Sequence, residues 1–218
     1  MNHDYWLSKW EHAQIGFHEP AVNGWLARFG PGLMLKPGRV FVPLCGKALD
    51  LHWLAGRGHD VVGIELSELA VQQFFAEAGL NPDVAAAGKL KRYVSGRITL
   101  YAGDFFALTP AELGAVDYVY DRAALIALPA ATRPQYVAHL AALLGDARGL
   151  LIALDYDQSG MQGPPFSVPA DELGRLLGGY AGLRLLARDD DALDSNEKFR
   201  ARGLRSLRES AYETLWTP

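Results

Sequence analysis

Five short apolar runs, Arg39–Pro43, Asp60–Ile64, Ile98–Ala102, Val116–Tyr120 and Gly149–Leu154, recur along this chain, separated for the most part by stretches with helical spacing. Strands that alternate with helices pair in parallel, because each crossover must carry the chain back to the same end of the sheet. The pattern predicts an α/β fold, a mostly parallel sheet with helices on both faces. Two helices are explicit. Ser67 can cap one whose Val71, Phe74, Phe75 and Ala78 fall at i, i+3, i+4 and i+7 before Gly79. Pro134 stands near the start of the other, striped by Val137, Leu140, Ala141 and Leu144 and closed by Gly145. Before the first run, 4–17 reads as a helix carrying Tyr5, Trp6, Trp10 and Phe17, either stapled to the core or acting as a lid. Lys89, Lys91, Arg92 and Arg97 fall in a stretch that reads as a solvated, loop-like connection. After the fifth run, Leu183–Ala187 and Tyr212–Trp216 read as strands around a highly charged segment with no clear packed helix. A closing antiparallel hairpin is the simplest arrangement.

In open parallel sheets the ligand lies across the carboxyl ends of the strands, against the first βα turn and an acid ending the second strand. Here the turn is Pro43-Leu44-Cys45-Gly46-Lys47, and Glu65 lies 19 residues beyond Gly46, close to the ~20 of a ribose-binding acid. The dinucleotide pattern G-x-G-x-x-G does not occur, and Lys47 lacks the second glycine and the hydroxyl of a P-loop. A nucleoside without a phosphate cradle points to S-adenosylmethionine. The competing reading leaves Glu65 as an exposed acid at the start of a helix.

With 218 residues, half of them hydrophobic, the chain is expected to form a single domain over 1–218. A net charge of −4 argues against the broad basic face of a nucleic-acid binder. Cys45 is the only cysteine, which excludes an internal disulfide and a multi-thiolate zinc site, and the six histidines show no metal-ligand spacing, so no metal is expected. Met1 to Trp6 has neither a basic opening nor an apolar core, and apolar runs such as 150–154 are too short to cross a bilayer. A cytoplasmic protein with no membrane partner is expected. Oligomeric state is not readable.

These residues, taken in order, resemble the thiopurine S-methyltransferases, especially their bacterial members. The likeness rests on Trp6-x-x-x-Trp10 with Phe17-His18, on 42–47, on Gly58 to Ser67, on Gly103-Asp104-Phe105-Phe106, on Tyr120-Asp121-Arg122-Ala123-Ala124-Leu125, and on Gly163-Pro164-Pro165-Phe166. It implies a class I methyltransferase, Rossmann-like, with an antiparallel C-terminal strand and S-adenosylmethionine as methyl donor. It also implies site residues. Trp10 would pack on the cofactor, Leu44 and Gly46 would meet it through backbone, Glu65 would hold the ribose, and Asp104 and Phe105 would bracket the adenine. The rival role for Asp104 is an N-cap. Arg122 would touch the cofactor beside the acceptor sulfur, its rival role being a surface pair with Asp121. Trp6, Phe17 and Pro165 would contact the acceptor, and 1–30 would form a helical segment covering both ligands. Lys198 and Arg200 align too loosely to assign.

Transfer from a sulfonium needs no metal and no strong base when the acceptor is a thiolate, and a guanidinium nearby favours that anion. Arg122 is therefore expected to act electrostatically. The predicted substrates are small aromatic or heterocyclic thiols, thiopurines among them, and selenium or tellurium compounds. The alternatives are methylation of a small amine or hydroxyl, or a cofactor-binding module without turnover.

Overall fold

Runs of β-branched and aromatic residues between turn signals form strands here because only a sheet interior can bury them on both faces. The computed structural model describes residues 3–217, so Met1 and Asn2, at the head of the stretch read as lacking a leader, lie outside it. The chain divides into two compact units, 1–120 and 121–218. The first contains α1 (His3–Glu11), α2 (Gly24–Leu33), β1 (Arg39–Val42), α3 (Asp50–Gly56), β2 (Asp60–Glu65), α4 (Glu68–Glu77), β3 (Asp83–Ala87), β4 (Leu90–Ser95), β5 (Ile98–Ala102) and α5 (Pro110–Leu113). β6 (Tyr118–Arg122) carries the chain from the first unit into the second.

The first unit orders its strands β3-β4-β5-β2-β1-β6. β1 pairs in parallel with β2, Val40 opposite Val61, and with β6, while β2 pairs in parallel with β5. Val40, Phe41, Val61, Val62, Ile64 and Leu100 are buried, so these runs form the unit's core. α4 begins at the expected cap, the Ser67 hydroxyl accepting from the Ala70 N–H, and buries Val71, Phe74 and Phe75.

The loop expected around Lys89 to Arg97 is instead a hairpin. β3 pairs antiparallel with β4, and β4 with β5. In β4, Leu90 and Tyr93 are buried while Lys91 and Arg92 point to solvent, and β3 is exposed along most of its length. A one-sided edge strand rich in alanine offers no alternating signal, which is why the sequence reads as a connection. The N-terminal helix also stops earlier than predicted. Ala13 adopts φ +52°, which a helix cannot contain, and Phe17 returns to meet Trp6 and Trp10 edge-on, each at 5.5 Å between centroids.

The second unit contains α6 (Arg133–Leu144), β7 (Arg148–Asp155), α7 (Ala170–Leu177), β8 (Ala181–Asp189), α8 (Glu197–Ala201) and β9 (Arg208–Trp216). α6 buries Tyr136, Val137, Leu140, Leu143 and Leu144 and ends at Gly145, φ +58°. The closing hairpin is present: β8 and β9 pair antiparallel, and β9 pairs antiparallel with β7. α8, in the charged segment, buries none of its residues. Among the described residues no helix is long and apolar enough to cross a membrane.

Across these three strands Glu213 is buried and accepts from Arg148 Nε and Arg184 Nε, the latter at 2.6 Å. Burial alone would raise its carboxyl, but the two guanidiniums outweigh it and hold it below the usual range. Such a group stabilises the fold above its unfolded pKa, and the contribution is lost as pH falls through the depressed folded value. Because both arginines are partly exposed, Glu213→Gln is expected to cost about 1–2 kcal/mol at neutral pH. Melting temperatures recorded between neutral and strongly acidic pH should converge for the two proteins as the carboxyl protonates.

Candidate functional site

Trp10, Leu44, Gly46, Glu65, Asp104 and Phe105 all belong to the first unit; the connections after β1 and β5 carry four of them, and Glu65 ends β2. Glu65 ends β2 with its carboxylate buried. Oε2 accepts the Gly46 N–H at 3.0 Å and Oε1 accepts the Ser67 N–H at 2.9 Å. Burial pushes this carboxyl above the ordinary range, while the N–H groups of Ser67, Gly46 and Leu66 oppose that rise. Glu65 is therefore not an exposed acid at a helix start: it bridges the β1 turn and the start of α4. Its backbone carbonyl also accepts the Gly103 N–H at 2.9 Å, tying the end of β5 to the same point.

The turn that meets Glu65 is conformationally unusual. Leu44 has φ +46° and Gly46 φ +53°. A left-handed non-glycine residue costs about 1–3 kcal/mol and persists only where the surroundings fix it. Here the Cys45 N–H donates to the Ile64 carbonyl at 2.9 Å. Cys45 Sγ fills the space above Gly63, where any Cβ would lie 2.7 Å from it. A Cβ on Gly46 would stand 3.3 Å from the Trp10 ring, so α1 packs directly on the turn. Trp10 is buried and Phe17 and Trp6 are half-buried, which gives a contiguous aromatic cluster. Lys47 is ion-paired with Glu77, so its ammonium is already engaged and is not free for a phosphate.

Asp104 follows β5 and does act as an N-cap, Oδ1 accepting the Phe106 N–H at 3.1 Å; Oδ2 lies 3.7 Å from His3 Nε2. Phe105 is 2% exposed, with half-buried Phe106 edge-on to it at 5.3 Å. Sequence reasoning missed His3 and the second anchor at Ser67. Ser67 was legible only as a helix cap, and nothing in the spacing marks His3.

Arg122 and Pro165 belong to the second unit. Asp121, expected as a candidate partner of Arg122, is buried and bound elsewhere, by the Leu125 N–H at 3.1 Å and the Tyr136 hydroxyl at 2.7 Å. Arg122 itself is half-buried and, among the described residues, forms no ion pair or hydrogen bond. Ala123 follows it at φ +65°. The Gly163–Phe166 loop is pinned at three of its four residues: Tyr156 donates to the Pro165 carbonyl at 2.6 Å, Arg202 to the Pro164 carbonyl at 3.1 Å, and the Phe166 N–H to the Ile126 carbonyl at 2.7 Å. Gly163, φ +74°, lies so close to the Phe166 ring that a Cβ would clash with it.

Solved structures with this architecture include methyltransferases. The 1,6-didemethyltoxoflavin-N1-methyltransferase of Burkholderia thailandensis, solved with S-adenosylhomocysteine, superposes with a TM-score of 0.63 at 16% identity, over 99% of this chain and 87% of that one. An S-adenosylmethionine-dependent methyltransferase from Anabaena variabilis gives 0.63 at 13% identity, over 98% and 94%. The fold is that of a class I methyltransferase. A family model for thiopurine S-methyltransferase matches residues 1–216. Relatives bearing that name in Pseudomonas fluorescens and Azotobacter vinelandii are each 50% identical to this chain, over 97% of it and 98% of theirs. The chain belongs to the thiopurine S-methyltransferase family and is an S-adenosylmethionine-dependent methyltransferase.

Glu65→Ala leaves the Gly46 and Ser67 N–H groups without their acceptor. The expected loss is about 2 kcal/mol, read as a lower urea midpoint with an unchanged slope.

Proposed function

We propose that this enzyme methylates the sulfur of small aromatic or heterocyclic thiols, thiopurines among them, and that softer selenium and tellurium nucleophiles are further acceptors. The observation that carries the reading is Arg122, a cation at the carboxyl end of β6 with no partner among the described residues and with its neighbour Asp121 bound elsewhere. A guanidinium left free of carboxylates is available to an incoming thiolate and favours its ionised form.

S-adenosylmethionine, when bound, supplies an electrophilic methyl group. The residues of the first unit fit it. Each oxygen of Glu65 accepts one N–H, which leaves acceptor capacity for the two hydroxyls of a ribose. Leu44 and Gly46 offer backbone at the adjoining turn, and Trp10 gives it an aromatic wall suited to a sulfonium. Asp104 caps through Oδ1, and its Oδ2, which faces His3, is assigned to the adenine amino group, with Phe105 assigned to the adenine face. Trp6, Phe17 and Pro165 are assigned to the acceptor, with the segment 1–30 as the cover that excludes water. Arg122 orients the thiolate and needs to abstract no proton.

Methyl-labelled cofactor incubated with thiol, selenol, amine and hydroxyl acceptors tests the reading: label is expected on sulfur first and on selenium next. Label on nitrogen or oxygen alone would replace it, and bound cofactor without any product would reduce the chain to a binding module. Arg122→Ala is expected to lower kcat on a thiol by about 100-fold while S-adenosylhomocysteine affinity changes little. Equal losses in both would make Arg122 a cofactor clamp only. Calorimetric titration of S-adenosylhomocysteine into Glu65→Ala is expected to show an affinity at least about tenfold weaker.

A further inference from the structure

The geometry points to Asp121 and Tyr136 as a buried pair that positions Arg122 for methyl transfer. This rests on the reading of Arg122 given above. Asp121 is 3% exposed and Tyr136 1% exposed, and the Tyr136 hydroxyl, delivered by α6, donates to Asp121 Oδ2 at 2.7 Å. The other oxygen accepts the Leu125 N–H at 3.1 Å, four residues further along the chain. A buried acid is costly without such partners, so its conformation is narrowly fixed.

The consequence falls on the next residue. Successive side chains in a strand point to opposite faces, so a carboxylate locked toward α6 turns the Arg122 stem away from it. Immediately after, Ala123 sits in the left-handed region at φ +65°, and the Asp121 to Leu125 bond spans that bend and holds it closed. Arg122 has no partner of its own among the described residues, so its direction is inherited from the backbone that Asp121 and Tyr136 fix. Burial raises both groups, the Tyr136 hydroxyl strongly, and this keeps the phenolic proton in place as the donor.

Tyr136→Phe removes the hydroxyl and keeps the ring. Its kcat on a thiol acceptor is expected to fall about tenfold with S-adenosylhomocysteine affinity retained, and the conservative Asp121→Asn is expected to behave alike. In the Arg122→Ala background, where label transfer still measures slow turnover, Tyr136→Phe is expected to cause no further loss, because a residue acting through Arg122 has nothing left to act through. Equal losses in both backgrounds, or wild-type kcat in the single variant, would overturn the positioning role. Failure of both Tyr136→Phe and Asp121→Asn to fold would also overturn it, leaving the pair a stabilising contact only. Wild-type turnover in Arg122→Ala would remove the reading of Arg122 and this inference together, whereas reduced turnover there with an unaffected Tyr136→Phe removes this inference alone.

Discussion

One carboxylate organises the end of the parallel sheet. Glu65 takes an N–H from the turn after β1 and another from the start of α4, and its own carbonyl receives the chain as it leaves β5. Three connections converge on one residue that the sheet has carried out of water. The left-handed turn at Leu44 and Gly46 persists because those bonds hold it, and Trp10 can lie against the turn because glycine leaves the space. Local strain and local hydrogen bonding thus offset each other at the point where the cofactor is proposed to bind.

The parallel strands, the caps of α4 and α6, the turn at 43–47 and the acid that ends β2 were legible in the sequence because each has a local chemical signature: a β-branched run, a serine before a stripe, a glycine at a left-handed φ, an acid at fixed spacing. The β3 and β4 hairpin was not legible. Ala85, Ala86, Lys91 and Arg92 face solvent, and a strand that buries only Leu90 and Tyr93 resembles a loop. Nor could spacing show that Asp121 turns inward. Its neighbours suggested a surface pair with Arg122, and only the tertiary position of Tyr136, on α6, explains why the acid is buried.

Buried carboxylates here are satisfied in different ways. Glu65 is met by backbone N–H groups. Asp50 is met by the Tyr120 hydroxyl and the Asn23 N–H, Glu213 by two arginines, and Asp121 by a tyrosine and one N–H. Side-chain partners tolerate small shifts of the strands that carry them, whereas a carboxylate held by main chain reports any distortion of the turn itself.

Gly63 and Cys45 share one volume. With a Cβ at 63 falling 2.7 Å from both the sulfur of Cys45 and a methyl of Leu100, no side chain fits at 63 unless both give way. Among descendants of this sequence, an alanine at 63 would need a retreat at both 45 and 100 in the same lineage, so these three positions should drift as a linked trio.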